Sequence, residues 1–251
     1  MQYWSGLGND IVAATTGRGN AVVNGDAYSA FNVCHYVGDA PSHVAECRSS
    51  LASQLGLPVE NIICPRQTHS TKVAVVDRVA DFSDVEADAL VTRLTDVAIG
   101  INTADCLPIL LADSGRGVIA AVHAGWRGLL AGIVSASIEK MAEMGAVPAE
   151  IHAVVAPAIG RCCFEVGENV AAIFHDYGYD EFVDRSGAKP HIDLPAIARR
   201  QLLDGQLAAT NIQVADICTK CHADRYFSAR AIGVESGRNF TFIYRKSSAT
   251  K

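Results

Sequence analysis

The chain has 251 residues, 49% hydrophobic and 19% charged, with 21 basic against 27 acidic side chains and a formal net charge of −6. So apolar a composition with so small a net charge excludes an intrinsically disordered chain. The acidic balance disfavours a binder of nucleic-acid polymers, which needs a basic excess to neutralise phosphates, and no apolar run reaches the ~18 residues of a membrane span.

In chain order, Met1 to Arg18 carries no charged, apolar and cleavable stretches of an export signal, so a cytoplasmic protein with reduced thiols is expected. Ile11–Thr15 is a β-rich run, and Ser42–Leu55 has helical spacing. Lys72–Asp77, Ala87–Thr92 and Val97–Asn102 follow as short strands between turn-like residues. Pro108–Ala112 and Val118–His123 are two further strands, separated by Asp113-Ser114-Gly115-Arg116-Gly117. Then the period changes: Leu129, Leu130, Ile133, Val134, Ser137, Ile138 and Met141 predict one helix, stopped by Gly145 and Pro148. Ile151–Ala156 reads as a strand, Asp193-Leu194-Pro195 as a capped helix start with its end at Gly205, and Ile212–Asp216 and Asn239–Tyr244 as late strands. Consecutive strands without helices between them argue against a doubly wound parallel sheet and for an α+β fold with helices outside mixed sheets. With no linker, repeat or charge run visible, one domain over 1–251 is expected.

Eight cysteines and eight histidines invite a search for partners. A chain this long needs no disulfide scaffold, so thiols near histidines point to metal or catalysis. If Ser114-Gly115 form a two-residue hairpin loop, Ala112 faces Gly117, Leu110 faces Ile119, Pro108 faces Ala121 and Cys106 faces His123. Directly opposed residues have Cα atoms about 4.5–5.5 Å apart, close enough for a shared metal or a Cys–His catalytic pair. A bulge at Pro108, which cannot donate to the ladder, would shift this register. Gly128 is expected to lead into the helix beginning near Leu129, with Arg127 beside a helix start that favours anions. The third member is read as His69, in the polar turn before the strand at Lys72, with His35 as its rival; His43, His152, His175 and His191 are read as surface or satisfied core residues. Cys218-Thr219-Lys220-Cys221-His222 fits a haem-attachment spacing, but without an export signal it is read as a chance match, and Cys218 and Cys221 as a pair without a partner motif. Cys162 and Cys163 are read as packing residues.

Gln67-Thr68-His69-Ser70, Thr103-Ala104-Asp105-Cys106-Leu107-Pro108, His123-Ala124-Gly125-Trp126-Arg127-Gly128, the stretch from Pro157 to Gly167 and Phe227-Ser228-Ala229-Arg230 occur together and in this order. In these motifs the chain resembles the laccase-domain family, whose members have been called multicopper polyphenol oxidoreductases, purine nucleoside phosphorylases and peptidoglycan editing factors. The resemblance implies a single-domain layered α/β/β/α sandwich. It also implies a metal site of His69, Cys106 and His123. Three departures concern the substrate side: Tyr36 stands where the family often has histidine, with His35 one residue earlier, the family's Gly-Gly pattern near the N-terminus appears as Gly17-Arg18-Gly19-Asn20, and Arg230 is followed by Ala231 rather than by a second arginine.

Three protein ligands leave a fourth tetrahedral position open, the pattern of catalytic zinc; the soft thiolate would also accept copper. The resemblance implies a zinc-dependent purine nucleoside phosphorylase acting on adenosine, inosine or methylthioadenosine, with adenosine deaminase activity as a further expectation. Cys106 and His123 are the expected catalytic residues, and Gln67, Arg127 and Arg230 the expected substrate and phosphate contacts, with Arg66 behind them. Deamination would need its own site design, because the usual His-x-Glu and Pro-Cys-x-x-Cys signatures are absent. A copper-dependent polyphenol oxidase is the alternative, and a metal-free hydrolase editing cell-wall precursor peptides, with Cys106 as nucleophile and His123 as base, the second.

Overall fold

A computed structural model describes residues 1–19, 26–28 and 30–247. The first half of the chain forms β1 (Gln2–Trp4), β2 (Ile11–Thr15), α1 (Pro41–Leu55), β3 (Ile62–Ile63), β4 (Val73–Val76), β5 (Ala89–Thr92), β6 (Ala98–Thr103), β7 (Leu107–Asp113) and β8 (Val118–Ala124). The second half forms α2 (Trp126–Ala131), α3 (Ile133–Glu143), β9 (His152–Val155), α4 (Glu168–Asp176), β10 (Val183–Asp184), β11 (His191–Ile192), α5 (Leu194–Asp204), β12 (Ile212–Val214), α6 (Ala229–Ile232) and β13 (Asn239–Arg245).

Two mixed sheets carry the architecture. One runs β1-β2-β13-β6-β3 and the other β12-β9-β7-β8-β5-β4. The pairs β3–β6, β4–β5 and β12–β9 are parallel; the other pairs in these two sheets are antiparallel. Because strand side chains alternate faces, the buried residues of the second sheet sort into two sets. Leu107, Ile109, Leu111, Ala120 and Val122 pack with Ile133, Ile138 and Met141 of α3 and with Ile197 and Leu202 of α5. Leu110, Ala112, Ile119 and Ala121 instead meet Ala13, Ile99, Ile101 and Ile243 of the first sheet. The first sheet's outer face, with Phe240, Phe242 and Tyr244, is covered by Cys47, Leu51 and Ala52 of α1. The result is the expected α/β/β/α layering, and it explains why β7 and β8 are apolar without alternation: both of their faces are buried.

Two local expectations are corrected. The predicted single helix is two helices, α2 and α3, because Gly132 takes φ 94, a left-handed conformation that ends one helix and opens the next. The apolar period survives the break, since Leu129, Ile133, Val134, Ile138 and Met141 all remain buried. The hairpin loop is four residues, not two: Asp113 pairs with Val118 and Pro108 with His123. Asp113 holds this wider loop, accepting from Arg116 N at 3.0 Å and Val147 N at 2.9 Å. As expected, Asp193 caps α5, accepting from Ala196 N, and Gly205 follows its last residue.

Candidate metal centre

The corrected register moves the hairpin pairing by two residues, and a two-residue shift keeps every side chain on its own face. Cys106 therefore stays on the side of His123, one step diagonal to it, just before β7 begins. His69 arrives from the turn before β4. One donor atom from each of His69, Cys106 and His123 lies within 4.8 Å of the others, with Cys106 Sγ 3.8 Å from His69 Nε2. The two imidazole rings meet edge to face, their centroids 4.8 Å apart.

The residue that organises this trio is Asp88, which the sequence reading did not single out. It lies just before β5, opposite His123 in the continued β5–β8 register, and His123 N donates to its carbonyl at 2.7 Å. Its side chain is fully buried and takes His123 Nδ1 at 2.7 Å. The same carboxylate accepts from His69 N at 3.0 Å, Ser70 N at 2.6 Å and Ser70 Oγ at 2.6 Å. One buried acid thus fixes the ring of one histidine and the backbone of the other. A carboxylate at Nδ1 keeps that nitrogen protonated and leaves Nε2 as the free donor, the usual arrangement behind a metal-ligating histidine. The available signal was an acid between Ala87 and Ala89 in an otherwise apolar run, where a charge is buried only if partnered.

Backbone strain gathers here as well. Among the described residues four non-glycine positions have positive φ, and His69 (59°) and Asp105 (91°) are two of them. Such conformations cost roughly 1–3 kcal/mol and persist where surroundings over-determine them. Asp105 is held on three sides: its carbonyl accepts from Ile159 N at 2.9 Å, and its carboxylate from Thr219 Oγ1 and Arg230 N, each at 2.7 Å. That grip aims the adjacent Cys106. Gly125 completes the cradle, because a Cβ there would lie 2.7 Å from His69 Cδ2 and 3.4 Å from Cys106 Sγ.

The electrostatics follow from these contacts. Burial favours the neutral Cys106 thiol, but hydrogen bonds from His123 and His69 outweigh it and bring the thiol down to about 6. Burial disfavours a charged His123, yet Asp88 and Cys106 raise it to about 9. Asp88 is pushed up by burial and more strongly down by His123 and Ser70, so it stays ionised. Without a metal, a thiolate–imidazolium pair is favoured near neutral pH. The donor set fits a metal: two imidazoles and a thiolate, with the second histidine nitrogen of His123 already bonded.

The remaining expected residues are placed less uniformly. Gln67 is tied to the fold, its Oε1 accepting from Asn102 N at 2.7 Å and Tyr36 OH at 3.0 Å and its Nε2 donating to Asn102 O. Arg127 is exposed and stacks on Trp126, 4.2 Å from its ring. The helix beside it starts at Trp126 and has only six residues, which corrects the expected long helix start. Arg230 is exposed, with its backbone on Asp105 and Nη1 donating to Glu165 O at 3.0 Å. Arg66 forms a backbone bridge with Glu86. His35, the rival third ligand, lies exposed against Tyr36 and outside the trio. His43 is satisfied by Asp39 at 2.8 Å.

Fold and trio together define a layered α+β protein with a two-histidine, one-cysteine site at the open end of a buried hairpin. The model of the family described as multi-copper polyphenol oxidoreductase laccase matches residues 12–246, and the chain belongs to that family. It is 44% identical over 248 residues, 94% of either chain, to adenosine deaminase RL5 from an unknown prokaryotic organism. It is 35% identical over 224 residues, 84% of this chain and 83% of the other, to a purine nucleoside phosphorylase of Bacteroides thetaiotaomicron. Among solved structures it superposes on the hypothetical protein YfiH of Bacillus licheniformis with a TM-score of 0.88 at 26% identity, covering 95% of this chain and 94% of that one. Among the described residues, no helix is long and apolar enough to cross a membrane.

Proposed function

We propose that the chain is a zinc-dependent purine nucleoside phosphorylase acting on adenosine, inosine or methylthioadenosine. The observation that carries this reading is the three-donor trio backed by Asp88, in a chain whose relatives include proteins named for purine nucleoside chemistry. His69, Cys106 and His123 would hold the ion, which when bound supplies Lewis-acid polarisation at its open position. Asp88 keeps both histidines oriented. Arg127 and Arg230 would bind phosphate, and the remaining amide hydrogen of Gln67 would meet the nucleoside. In the reaction a phosphate oxygen bonds to the ribose C1′ while the bond from C1′ to the purine breaks. The electron pair of that bond passes to the purine, which takes up a proton.

Three further readings each have an observation behind them. The likeness to a protein named adenosine deaminase supports hydrolytic loss of the 6-amino group, with ammonia and inosine as products. The thiolate–imidazolium pair supports a metal-free hydrolase with Cys106 as nucleophile. The soft thiolate is also compatible with copper, and the family description supports phenol oxidation in a copper-loaded form.

Removing the metal with a chelator separates the metal-dependent readings from the hydrolase: nucleoside turnover is expected to stop and to return with zinc. Activity that survives complete removal would favour the hydrolase. Phenol oxidation under copper, without nucleoside turnover under zinc, would favour the oxidase. For the phosphate contacts, Arg230→Ala is expected to raise KM for phosphate about tenfold, the loss of roughly 1.4 kcal/mol of charge-assisted binding.

A further inference from the structure

A second group of sulfurs lies outside the trio. Cys162 and Cys163 stand in the turns after β9, and Cys218 and Cys221 in the turns after β12. The fold brings these stretches together because β9 and β12 are neighbouring parallel strands, so the segments leaving them continue side by side. The pairing persists past the sheet: Ala158 bridges Cys218, and Thr219 N donates to Ala158 O at 2.9 Å. The four sulfur atoms lie within 4.8 Å of one another, and Cys221 Sγ is 3.6 Å from Cys162 Sγ and 3.5 Å from Cys163 Sγ.

Three arrangements could account for four such thiols. A disulfide would set two sulfurs about 2.0 Å apart, and all four are free. Packing as small hydrophobes requires burial, which Cys34, Cys47 and Cys64 have in this chain, whereas Cys162 and Cys221 are exposed and the other two half-buried. A tetrahedral ion with zinc–sulfur bonds of about 2.3 Å spaces its sulfurs about 3.8 Å apart, close to the separations seen. Cys218 Sγ also accepts from Gly160 N at 3.3 Å, the kind of backbone donor that steadies a ligating thiolate. A multi-iron cluster fits poorly, because several irons and sulfides would lie between its thiolates and spread them.

We propose that Cys162, Cys163, Cys218 and Cys221 form a second metal site, holding one zinc ion through four thiolates. Four protein ligands close the coordination sphere, so this ion is structural. Each bound thiol gives up its proton to solvent as the ion binds. The ion joins the two segments that grip Asp105: Ile159 N lies on one, Thr219 Oγ1 on the other, and both bond to the residue preceding Cys106. Its structural effect is to stiffen the backbone that presents Cys106.

The test is metal analysis of the full chain purified anaerobically with a thiol reductant and zinc. Two zinc equivalents per chain are expected, falling to one in the Cys218→Ser/Cys221→Ser double variant and to one in Cys106→Ala. Each variant reports on its own site, so failure of the trio and failure of the four-cysteine site give different patterns. Should the double variant not fold, cobalt titration of the metal-stripped wild type decides. Two cobalt equivalents are expected, one with the intense sulfur-to-cobalt absorption of a four-thiolate site. Only one-thiolate absorption, a disulfide among the four cysteines in the anaerobic protein, or a second zinc equivalent retained by the folded double variant would overturn the proposal.

Discussion

Asp88 has no side-chain atom in the trio, yet it bonds to the ring of His123 and to the backbone of His69 and Ser70. Asp88→Asn keeps the shape but removes the charge that holds Nδ1 protonated. A 10- to 100-fold loss of zinc affinity is expected, the usual cost of removing such a partner, measured by competition with a chelator. A second residue-scale prediction concerns Cys106 in metal-stripped protein. Its thiol is depressed to about 6 and His123 raised to about 9, so the ion pair exists between those values. Alkylation of Cys106 by iodoacetamide is expected to rise through about pH 6, well below the pH 8.5 region of an ordinary thiol; a rise only above pH 8 would contradict the pair. His69, Cys106 and His123 were legible because their residue types sit in distinctive local strings. Asp88 was not, because its role depends on β5 lying beside β8, a long-range pairing that no local string announces.

At the scale of elements, the hairpin shows what a pattern does and does not specify. The apolar runs locate β7 and β8 within a residue or so but do not specify the loop length, since Asp113 supports a four-residue turn through contacts to Arg116 and to the distant Val147. The face of Cys106 is the same with either loop because strand faces repeat every two residues. The helix break at Gly132 was hidden by an unbroken apolar period. Two substitutions test this level. Gly125→Ala would put a Cβ 2.7 Å from His69 Cδ2, and it is expected to abolish high-affinity zinc binding while costing about 1–3 kcal/mol of stability from overpacking, read by metal content and thermal unfolding. Asp193→Ala removes the cap of α5 and is expected to cost about 1 kcal/mol, with zinc content unchanged.

Across the whole molecule, the sheets, their mixed pairing and the outer helices follow from strand runs that lack helices between them and from β7 and β8 being apolar on both faces. The sulfur cluster was not legible in this way: Cys162-Cys163 and Cys218-Thr219-Lys220-Cys221 lie far apart in sequence and meet only because β9 pairs with β12. The same long-range economy makes the inter-sheet core sensitive. Leu110 is fully buried between the sheets, and Leu110→Ala is expected to cost about 2–5 kcal/mol, measured by denaturant unfolding.

The proposed cleavage of a purine nucleoside by phosphate at this site has a direct test. The most direct measurement incubates the zinc-loaded protein with adenosine, with and without inorganic phosphate, and resolves adenine, inosine, free ribose and ribose 1-phosphate. Phosphorolysis predicts adenine and ribose 1-phosphate in equal amounts, formed only when phosphate is present. Inosine and ammonia as the sole products, at a rate indifferent to phosphate, or no turnover at all, would contradict it.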